Sequence, residues 1–558
     1  MRTREGIEPR DERIIVGADL LSNREGSIRG ANGQGPREPT GVEDRGTSAG
    51  QDRELGRSDA LLQRGGRAAQ PAHREDAQRR IGSRMPPYER GRGVTPAEQR
   101  GAHGVTDSRA TPSTHRGGAT ATTGIESIAR RARREPGATY TALMHHFTVE
   151  NLRACFEALD GTKAPGIDGV TKAVYGEHLE DNLQVLHQKL RQMAYRPQPV
   201  RRVEIPKEDG TTRPLGISCT EDKIVQELTR RILEAIYEPG FYETSDGFRP
   251  GRSCHDALRR LNWEVMSAPV NWIADLDLAQ FFDTMPHTDI LAVLAERIKD
   301  RRFLRLIARM LKAGAQTPGG VVQDELGSPQ GSIVSPVIAN VFLDKVLDQW
   351  VATTVKAHCR GYVELIRYAD DTLLVFERED DAQRVMRVLP LRLAKFGLRL
   401  NAQKTRLVPF GKRAARRALH AGQRPPTLDF LGLTHYWGRS RRGLVRLKRK
   451  TSKKRLRRAL VAINQWLRQE RNERTLPDLW QAIARKMRGH FNYFGVTDNS
   501  PALWQFDHAV RRLVFKWLNR RSQRRSFSWE SFRRYEARHP LPRPGPLVSL
   551  NPLWRTAP

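Results

Sequence analysis

Tyr368-Ala369-Asp370-Asp371 sets two adjacent carboxylates between two short apolar runs, Leu365-Ile366 before them and Thr372-Leu373-Leu374-Val375-Phe376 after. Both flanks are β-branched or bulky, which predicts two strands joined by a tight turn that carries the acidic pair. Two like charges side by side cost free energy unless something cationic neutralises them. Carboxylate oxygens suit hard cations such as Mg²⁺, which bind through one or two carboxylates plus substrate phosphates. A solvated acidic turn has the same four residues. The reading therefore depends on a third carboxylate and on a surface for a polyanion elsewhere in the chain.

Composition supplies the surface. The 558 residues hold 96 Lys and Arg against 63 Asp and Glu, a formal net charge of +33. A chain this basic is expected to meet a polyanion. The charge is unevenly placed: residues 1–140 carry a net +6, residues 141–436 a net +4 and residues 437–558 a net +23. The C-terminal fifth thus holds most of the polyanion-binding potential. An anionic membrane is a poorer partner, because no apolar run approaches the ~20 residues of a spanning helix and no signal peptide opens the chain. Cys155, Cys219, Cys254 and Cys359 are widely separated and form no Cys-x-x-Cys pair. Neither a zinc site nor a disulfide framework is suggested, and a reducing cytoplasm, associated with nucleoid or RNA, fits.

Residues 1–135 read as a disordered extension. They are rich in Gly, Arg, Glu, Ser and Pro, with Tyr88 as their only aromatic residue, and so bury too little apolar surface to offset chain entropy. Apolar periodicity begins near residue 145. Lys223 to Tyr237 reads as an amphipathic helix, Val270 to Leu278 as a strand, Thr288 to Lys299 as a helix, and Ser335 to Val351 as a helix with Ser335 as N-cap. Residues 452–470, 478–491 and 502–520 show helical apolar spacing with Arg and Lys on the other faces.

The third carboxylate lies in Asp275-Leu276-Asp277-Leu278-Ala279-Gln280-Phe281-Phe282-Asp283. On a strand Asp275 and Asp277 share one face, so either could reach the acidic turn; Asp283 reads as a cap or turn residue. Two strands carrying three carboxylates match the metal platform of a polymerase palm. There, two Mg²⁺ ions activate a primer 3′-hydroxyl and clamp a triphosphate for in-line displacement.

A series of further motifs, in this order, gives the chain a resemblance. These are Lys163-Ala164-Pro165-Gly166-Ile167-Asp168-Gly169, Ile205-Pro206-Lys207, Arg213-Pro214-Leu215-Gly216-Ile217 and Gly247-Phe248-Arg249-Pro250-Gly251-Arg252-Ser253, then Gly327-Ser328-Pro329-Gln330-Gly331-Ser332. After the acidic turn come Gly397-Leu398-Arg399-Leu400-Asn401 through Lys404-Thr405, and Phe430-Leu431-Gly432. Across roughly residues 145–540 the chain resembles the group II intron-encoded reverse transcriptases of bacterial type. Each motif is weak alone; their unbroken order is specific.

The resemblance implies an α+β, right-hand polymerase, with fingers and an antiparallel-sheet palm over residues 136–436. A helical thumb and maturase domain with a basic tail would follow over 437–558. It selects Asp277 over Asp275 as the metal ligand beside Asp370 and Asp371, with the Leu278 carbonyl completing the set for two Mg²⁺ ions, Mn²⁺ being a substitute. Lys207 and Arg213 would meet triphosphate oxygens at the fingertip. Phe282 would be the steric gate against a ribose 2′-hydroxyl, or simply core. Gln330 would sit against the nucleotide sugar and base, with Gly331 allowing close backbone approach. Lys404 would stand near the leaving pyrophosphate as a general acid, or be a surface lysine at a strand end.

Arg449, Lys450, Lys453, Lys454 and Arg488 are the expected RNA contacts, on phosphates that carry no sequence information. Trp466, Trp480, Phe491, Phe494, Trp504 and Phe515 are expected mostly as helical core. Implied partners are structured intron RNA, an RNA template, a DNA primer and deoxynucleoside triphosphates, with a homodimer allowed. The sequence ends soon after Phe527-Ser528-Trp529 with no Cys pair in its tail, so no HNH endonuclease is expected. An RNA-dependent RNA polymerase, a splicing cofactor with a vestigial polymerase and a domesticated reverse transcriptase stay open as alternatives; Phe282 disfavours the first and the complete carboxylate triad the second.

Overall fold

Helix α1 (Ile125–Arg134) opens the part of the chain that the computed structural model describes, namely residues 124–206, 212–317, 319–322, 326–327, 331–524 and 526–550. It lies inside the stretch expected to be disordered, and this corrects the boundary; residues 1–123 lie outside the described ones. Ile125, Ile128 and Ala132 form a stripe buried against the helix Thr220–Tyr237. Four arginines among ten residues mask that stripe in the sequence.

Helices α2 (Val149–Ala158), α3 (Lys172–Glu177) and α4 (Leu179–Arg191) follow, then the antiparallel strands β1 (Val200–Pro206) and β2 (Thr212–Ile217). Helix α5 (Thr220–Tyr237) is buried along most of its length, and α6 (Cys254–Ser267) opens with a capping box between Ser253 and Asp256. Next come β3 (Trp272–Leu276), the short α7 (Phe281–Thr284), α8 (His287–Arg297), α9 (Arg301–Leu311), and strands β4 (Ala315–Thr317) and β5 (Gly320–Val322). Helix α10 (Ser335–Leu343) has Val334 as its N-cap, one residue before the position expected. It continues through two π-helical turns, Asp344–Asp348 and Val351–Val355.

The hairpin of β6 (Val363–Tyr368) and β7 (Asp371–Phe376) leads into α11 (Glu379–Ala394), β8 (Arg406–Pro409) and α12 (Lys412–His420). Strands β9 (Leu428–Phe430), β10 (Leu433–Arg439) and β11 (Val445–Thr451) precede helices α13 (Lys453–Glu470), α14 (Leu476–Phe494), α15 (Ser500–Leu518) and α16 (Trp529–Arg538). The strands form three sheets, ordered β2-β1-β4-β5, β6-β7-β3-β8 and β11-β10-β9. Helices and largely antiparallel sheets thus alternate up to β11 and helices alone follow, which is the α+β architecture expected.

Three apolar clusters hold this together. One face of the β6-β7-β3-β8 sheet contributes Ala274, Leu276, Leu365, Leu374 and Phe376 to a core shared with α5, α8, α10 and α11. The other face contributes Ile273, Ile366, Leu373 and Val375 to a core shared with α6 and the β9–β11 sheet. This alternation along each strand is the period-2 pattern of a sheet covered on both sides. The third cluster lies within the C-terminal helices, around Trp480, Met487, Phe491, Phe506 and Phe532.

Helical and sheet parts are joined at several points, among them the Tyr493 hydroxyl, which donates to the Leu431 carbonyl at 3.2 Å. Asn499 is fully buried; its Oδ1 accepts from the Thr451 N–H at 2.7 Å and its Nδ2 donates to the Phe494 carbonyl at 2.8 Å. The chain then returns after α16: the Val548 N–H donates to the Gly495 carbonyl at 2.7 Å, Arg259 Nε on α6 donates to the Ser549 carbonyl at 3.2 Å, and Leu550 is fully buried among α6 and the β9–β11 sheet.

Asp222, in the first turn of α5, is buried and ties α5 to the segment before β1. It accepts from the Tyr195 hydroxyl at 2.5 Å and from the Gln198 N–H at 3.1 Å. Burial, with Glu221 and Asp168 adding repulsion, pushes its carboxyl from 3.8 up to about 7 against the pull of those two hydrogen bonds. Between these values the folded protein holds a proton that the unfolded chain releases, so stability falls as pH rises through about 7. Thermal melts of wild type and Asp222→Asn should therefore show the wild type losing ground to the variant from pH 5 to pH 8. A pH-independent difference would refute this assignment.

Candidate active site

The acidic pair sits where the sequence pattern puts it, at the tip of β6–β7. Tyr368 pairs with Asp371 as the last rung, leaving Ala369 and Asp370 as the two turn residues. Ala369 has φ +58°, a left-handed conformation that costs a non-glycine residue about 1 kcal/mol. Its neighbours hold it there. A Cβ added to Gly247 would lie 2.1 Å from the Ala369 nitrogen, so only glycine lets this loop press on the turn.

Arg367 completes the support and was not singled out from sequence. Its side chain is fully buried and donates to the Ala369 carbonyl at 3.1 Å, to Asn340 Oδ1 at 3.0 Å and to both Asp348 oxygens at 2.8 and 2.5 Å. Asn340 in turn donates to the Gly247 carbonyl at 2.7 Å. The signal was an arginine in strand register with Val363 and Leu365, on an otherwise apolar face, which requires a buried partner.

The third carboxylate arrives on β3. Leu276 pairs with Thr372, so Asp277 falls opposite Asp371 at the end of the β3–β7 ladder, where adjacent strands lie about 4.8 Å apart. Its backbone is anchored on the other side. The Asn401 N–H donates to the Asp277 carbonyl at 2.8 Å, and the Asp277 N–H donates to Thr405 Oγ1 at 3.2 Å. Leu278 bridges Leu400 through bonds made by its neighbours, Ala279 N–H to the Arg399 carbonyl and Asn401 N–H to the Asp277 carbonyl. That pattern turns the Leu278 carbonyl away from Leu400, towards the β7 side. Asp275 lies two rungs back, opposite Leu373, and is bonded by Arg406 Nε at 3.1 Å. Asp277 is thus the residue at the acidic tip.

Electrostatics mark the cluster as cation-seeking. Partial desolvation, then the negative charges of Asp370, Asp275 and Asp277, push the Asp371 carboxyl up to about 6 although its side chain opens to solvent. Arg455, at the start of α13, lowers it only in part. Lys404 is placed by the structure directly on Asp277, its Nζ 3.4 Å from Oδ2. Among the described residues no three His, Cys, Asp or Glu side chains are gathered closely enough to grip an ion as they stand. The hard-oxygen donors and their mutual repulsion nonetheless have the chemistry that suits a divalent cation.

Phe282 is half-buried on α7, edge-on to the fully packed Phe281 with ring centroids 5.2 Å apart. Gln280, at φ +49°, turns the chain sharply between β3 and this helix. Gly331, at φ +106°, would put a Cβ 2.4 Å from the Gly216 carbonyl oxygen, the close backbone approach expected of that turn. Lys207 and Gln330 lie outside the described residues; Arg213 occupies β2 opposite Ile205, and its side chain is likewise outside them.

The basic residues divide. Lys450, Lys453, Lys454 and Arg488 are exposed. Arg449 is not: it is fully buried, donating to Asn262 Oδ1 at 2.6 Å and to the Leu447 carbonyl at 3.1 Å, so it is corrected from an RNA contact to a core residue. The reason is strand alternation, which turns Leu447, Arg449 and Thr451 inward and Lys448 and Lys450 outward. Of the C-terminal aromatics, Trp480 and Phe491 are buried, Trp466, Phe494 and Phe515 pack on that core, and Trp504 is exposed. No described helix is long and apolar enough to cross a membrane.

A palm of this form, with an acidic hairpin facing a third aspartate, is the polymerase class. Comparison with known proteins narrows it. Residues 205–435 match the family described as Reverse transcriptase (RNA-dependent DNA polymerase), and residues 456–535 match the Group II intron, maturase-specific domain. Group II intron-encoded protein LtrA of Lactococcus lactis subsp. cremoris is 34% identical over 229 residues, 41% of this chain and 38% of that protein. Protein YkfC of Escherichia coli K12 is 37% identical over 194 residues, 34% of this chain and 51% of YkfC. A 91 kDa protein in the cob intron of Schizosaccharomyces pombe is 43% identical over 171 residues, 31% of this chain and 21% of that protein. The matched segments thus span about half or less of these relatives' lengths. A solved telomerase from Candida albicans shares 12% identity at a TM-score of 0.34 over 65% of this chain and 66% of that one, too distant to argue from. The chain thus carries a reverse transcriptase domain followed by a group II intron maturase-specific domain, and it is similar to group II intron-encoded proteins.

Proposed function

We propose that this chain is an RNA-directed DNA polymerase that copies RNA into DNA and assists the splicing and mobility of a group II intron. The position of Asp277, just past the last β3–β7 pair of Leu276 with Thr372 and so beside Asp371, within the segment that matches the reverse transcriptase family, is the observation that carries this reading. Fingers and palm extend through β11 to residue 451, past the boundary expected at 436, which would cut strand β10, and the helical thumb and maturase region follows from α13.

Two Mg²⁺ ions, when bound, would supply charge neutralisation at the reacting phosphate. Asp277, Asp370, Asp371 and the Leu278 carbonyl would hold them. Lys207 and Arg213 meet the triphosphate, and Gln330 sits against the nucleotide sugar. Lys404, which reaches Asp277 in this structure, stands where it can meet the leaving pyrophosphate and deliver a proton there. Phe282 closes the pocket against a 2′-hydroxyl. The exposed Lys450, Lys453, Lys454 and Arg488 hold RNA by its phosphates.

Primer extension on an RNA template, with deoxynucleotides and ribonucleotides compared, tests this reading. Deoxynucleotide incorporation is expected to dominate. Phe282→Ala should raise the relative efficiency of ribonucleotides by about 10- to 100-fold, the scale of one lost steric contact. Equal use of both substrates by the wild type would sink the DNA-polymerase reading. Intron RNA domains flanking the reading frame would support the splicing role, and their absence would favour a domesticated polymerase.

A further inference from the structure

The groove between α12, the β10–β11 hairpin and the end of α6 encloses about 650 Å³ and has no part in the polymerase chemistry above. Lys412, Arg416, His420, Arg439 and Arg446 line it, with Asn262 and Met266 of α6 at its floor. Lys412 and Arg416 are exposed and lie one turn apart on one side of α12. Lys412 is also the first residue of that nine-residue helix, where the partial positive charge of the helix terminus adds to its own. Such a groove suits phosphate oxygens.

Its place in the fold identifies the occupant. Phe410, just ahead of α12, donates its N–H to the Asn271 carbonyl at 2.8 Å, at the end of β3 opposite to Asp277. Six residues of strand separate Asn271 from Asp277, about 20 Å. Strand β11 runs the same interval from the other side: it starts at the groove with Val445 and ends beside α13, whose Arg455 acts electrostatically on Asp371. Along the outer face of β11, Arg446, Lys448 and Lys450 recur every second residue, about 6.7 Å apart. Lys450 lies over the Tyr436 ring at 5.2 Å. Two carboxylates interrupt the face, Asp498 at 3.7 Å from Arg446 and Asp429 bonded by Thr434 Oγ1 at 2.5 Å, leaving it net positive. A cationic row therefore connects the acidic tip to the groove.

We propose that this groove is a phosphate-binding site for the backbone of the primer–template duplex. It lies about 20 Å, six or seven base pairs, from the acidic turn. The inference rests on the polymerase reading above. Once a duplex is long enough to reach the groove, its phosphates engage Lys412, Arg416 and Arg439 and the complex gains affinity.

Equilibrium binding of the full chain to RNA–DNA primer–templates of 4 and 12 base pairs, each closed by a hairpin loop that keeps the short duplex paired and with equal single-stranded overhangs, tests this. The wild type should bind the longer duplex more tightly. Lys412→Glu with Arg416→Glu should weaken the 12-base-pair complex by about tenfold and lower its salt slope by about 1 per lost phosphate contact. The same variant should bind the 4-base-pair complex as the wild type does, which also shows that it is folded; Lys412→Gln with Arg416→Gln should lie between. Equal weakening of both duplexes, or of neither, overturns the groove assignment and leaves the polymerase reading standing. Failure of the wild type to bind either duplex overturns both.

Discussion

Asp371→Ala is expected to lower cDNA synthesis by about a thousandfold or more, equivalent to about 4 kcal/mol of lost transition-state stabilisation, while RNA binding is retained. Asp277→Ala and Asp370→Ala should behave alike, because the proposed two-ion site needs all three carboxylates. A second observable separates this from general damage. Asp371 is destabilised by its own surroundings, with desolvation and three neighbouring carboxylates pushing its carboxyl up to about 6. Removing it relieves that repulsion, so without divalent cations Asp371→Ala should melt at a temperature no lower than the wild type. This is the usual trade of stability for function at a polar site. Primer extension and thermal melting on the same preparation check the pair of outcomes. Undiminished cDNA synthesis would refute the site.

The second large effect is structural. Arg367→Ala should destabilise the protein by about 3–5 kcal/mol, because it leaves Asp348 charged, buried and unpaired. Asn340 Oδ1 and the Ala369 carbonyl would lose their donor too. Replacing both members, Arg367→Met with Asp348→Leu, should recover much of that loss, since two apolar side chains need no partners. Recovery of stability need not restore polymerisation. The Ala369 carbonyl would still lack the guanidinium that fixes the acidic turn, so the double variant is expected to be folded and slow. Melting and primer extension measured together distinguish this from a purely structural role. A double variant with full activity would show that Gly247 and the backbone alone position the turn.

Much of this site was legible in sequence because the hairpin depends on local chemistry: two apolar strands, a tight turn and charges that need a cation. The long helices α5, α13, α14 and α15 were equally readable from apolar spacing, within a few residues at their ends. What escaped depended on partners distant in sequence. Arg449 looks like any member of the run Lys448-Arg449-Lys450 until β11 pairs with β10 and one side of the strand turns to the core. Arg367 lies beside the acidic box, but its role appears only when Asp348 and Asn340 meet it from α10 and the turn that follows. Helix α1 carries three small or apolar anchors among arginines, and only α5 gives them somewhere to pack. The ion pair of Lys404 with Asp277 is likewise a contact across 127 positions that no local pattern announces.

The attachment of the helical region to the sheets has a mechanical consequence. Within seven residues the chain at the end of α14 and just after it is held from three sides: the Tyr493 hydroxyl donates to the Leu431 carbonyl at 3.2 Å, Asn499 accepts from the Thr451 N–H at 2.7 Å, and Thr497 Oγ1 accepts from the Leu550 N–H at 3.1 Å. Bonds crowded into one short seam break together or not at all. The end of α14 and the start of α15 therefore move with the sheets as one piece, and any yielding of the helical region falls to the parts of it farther from this seam.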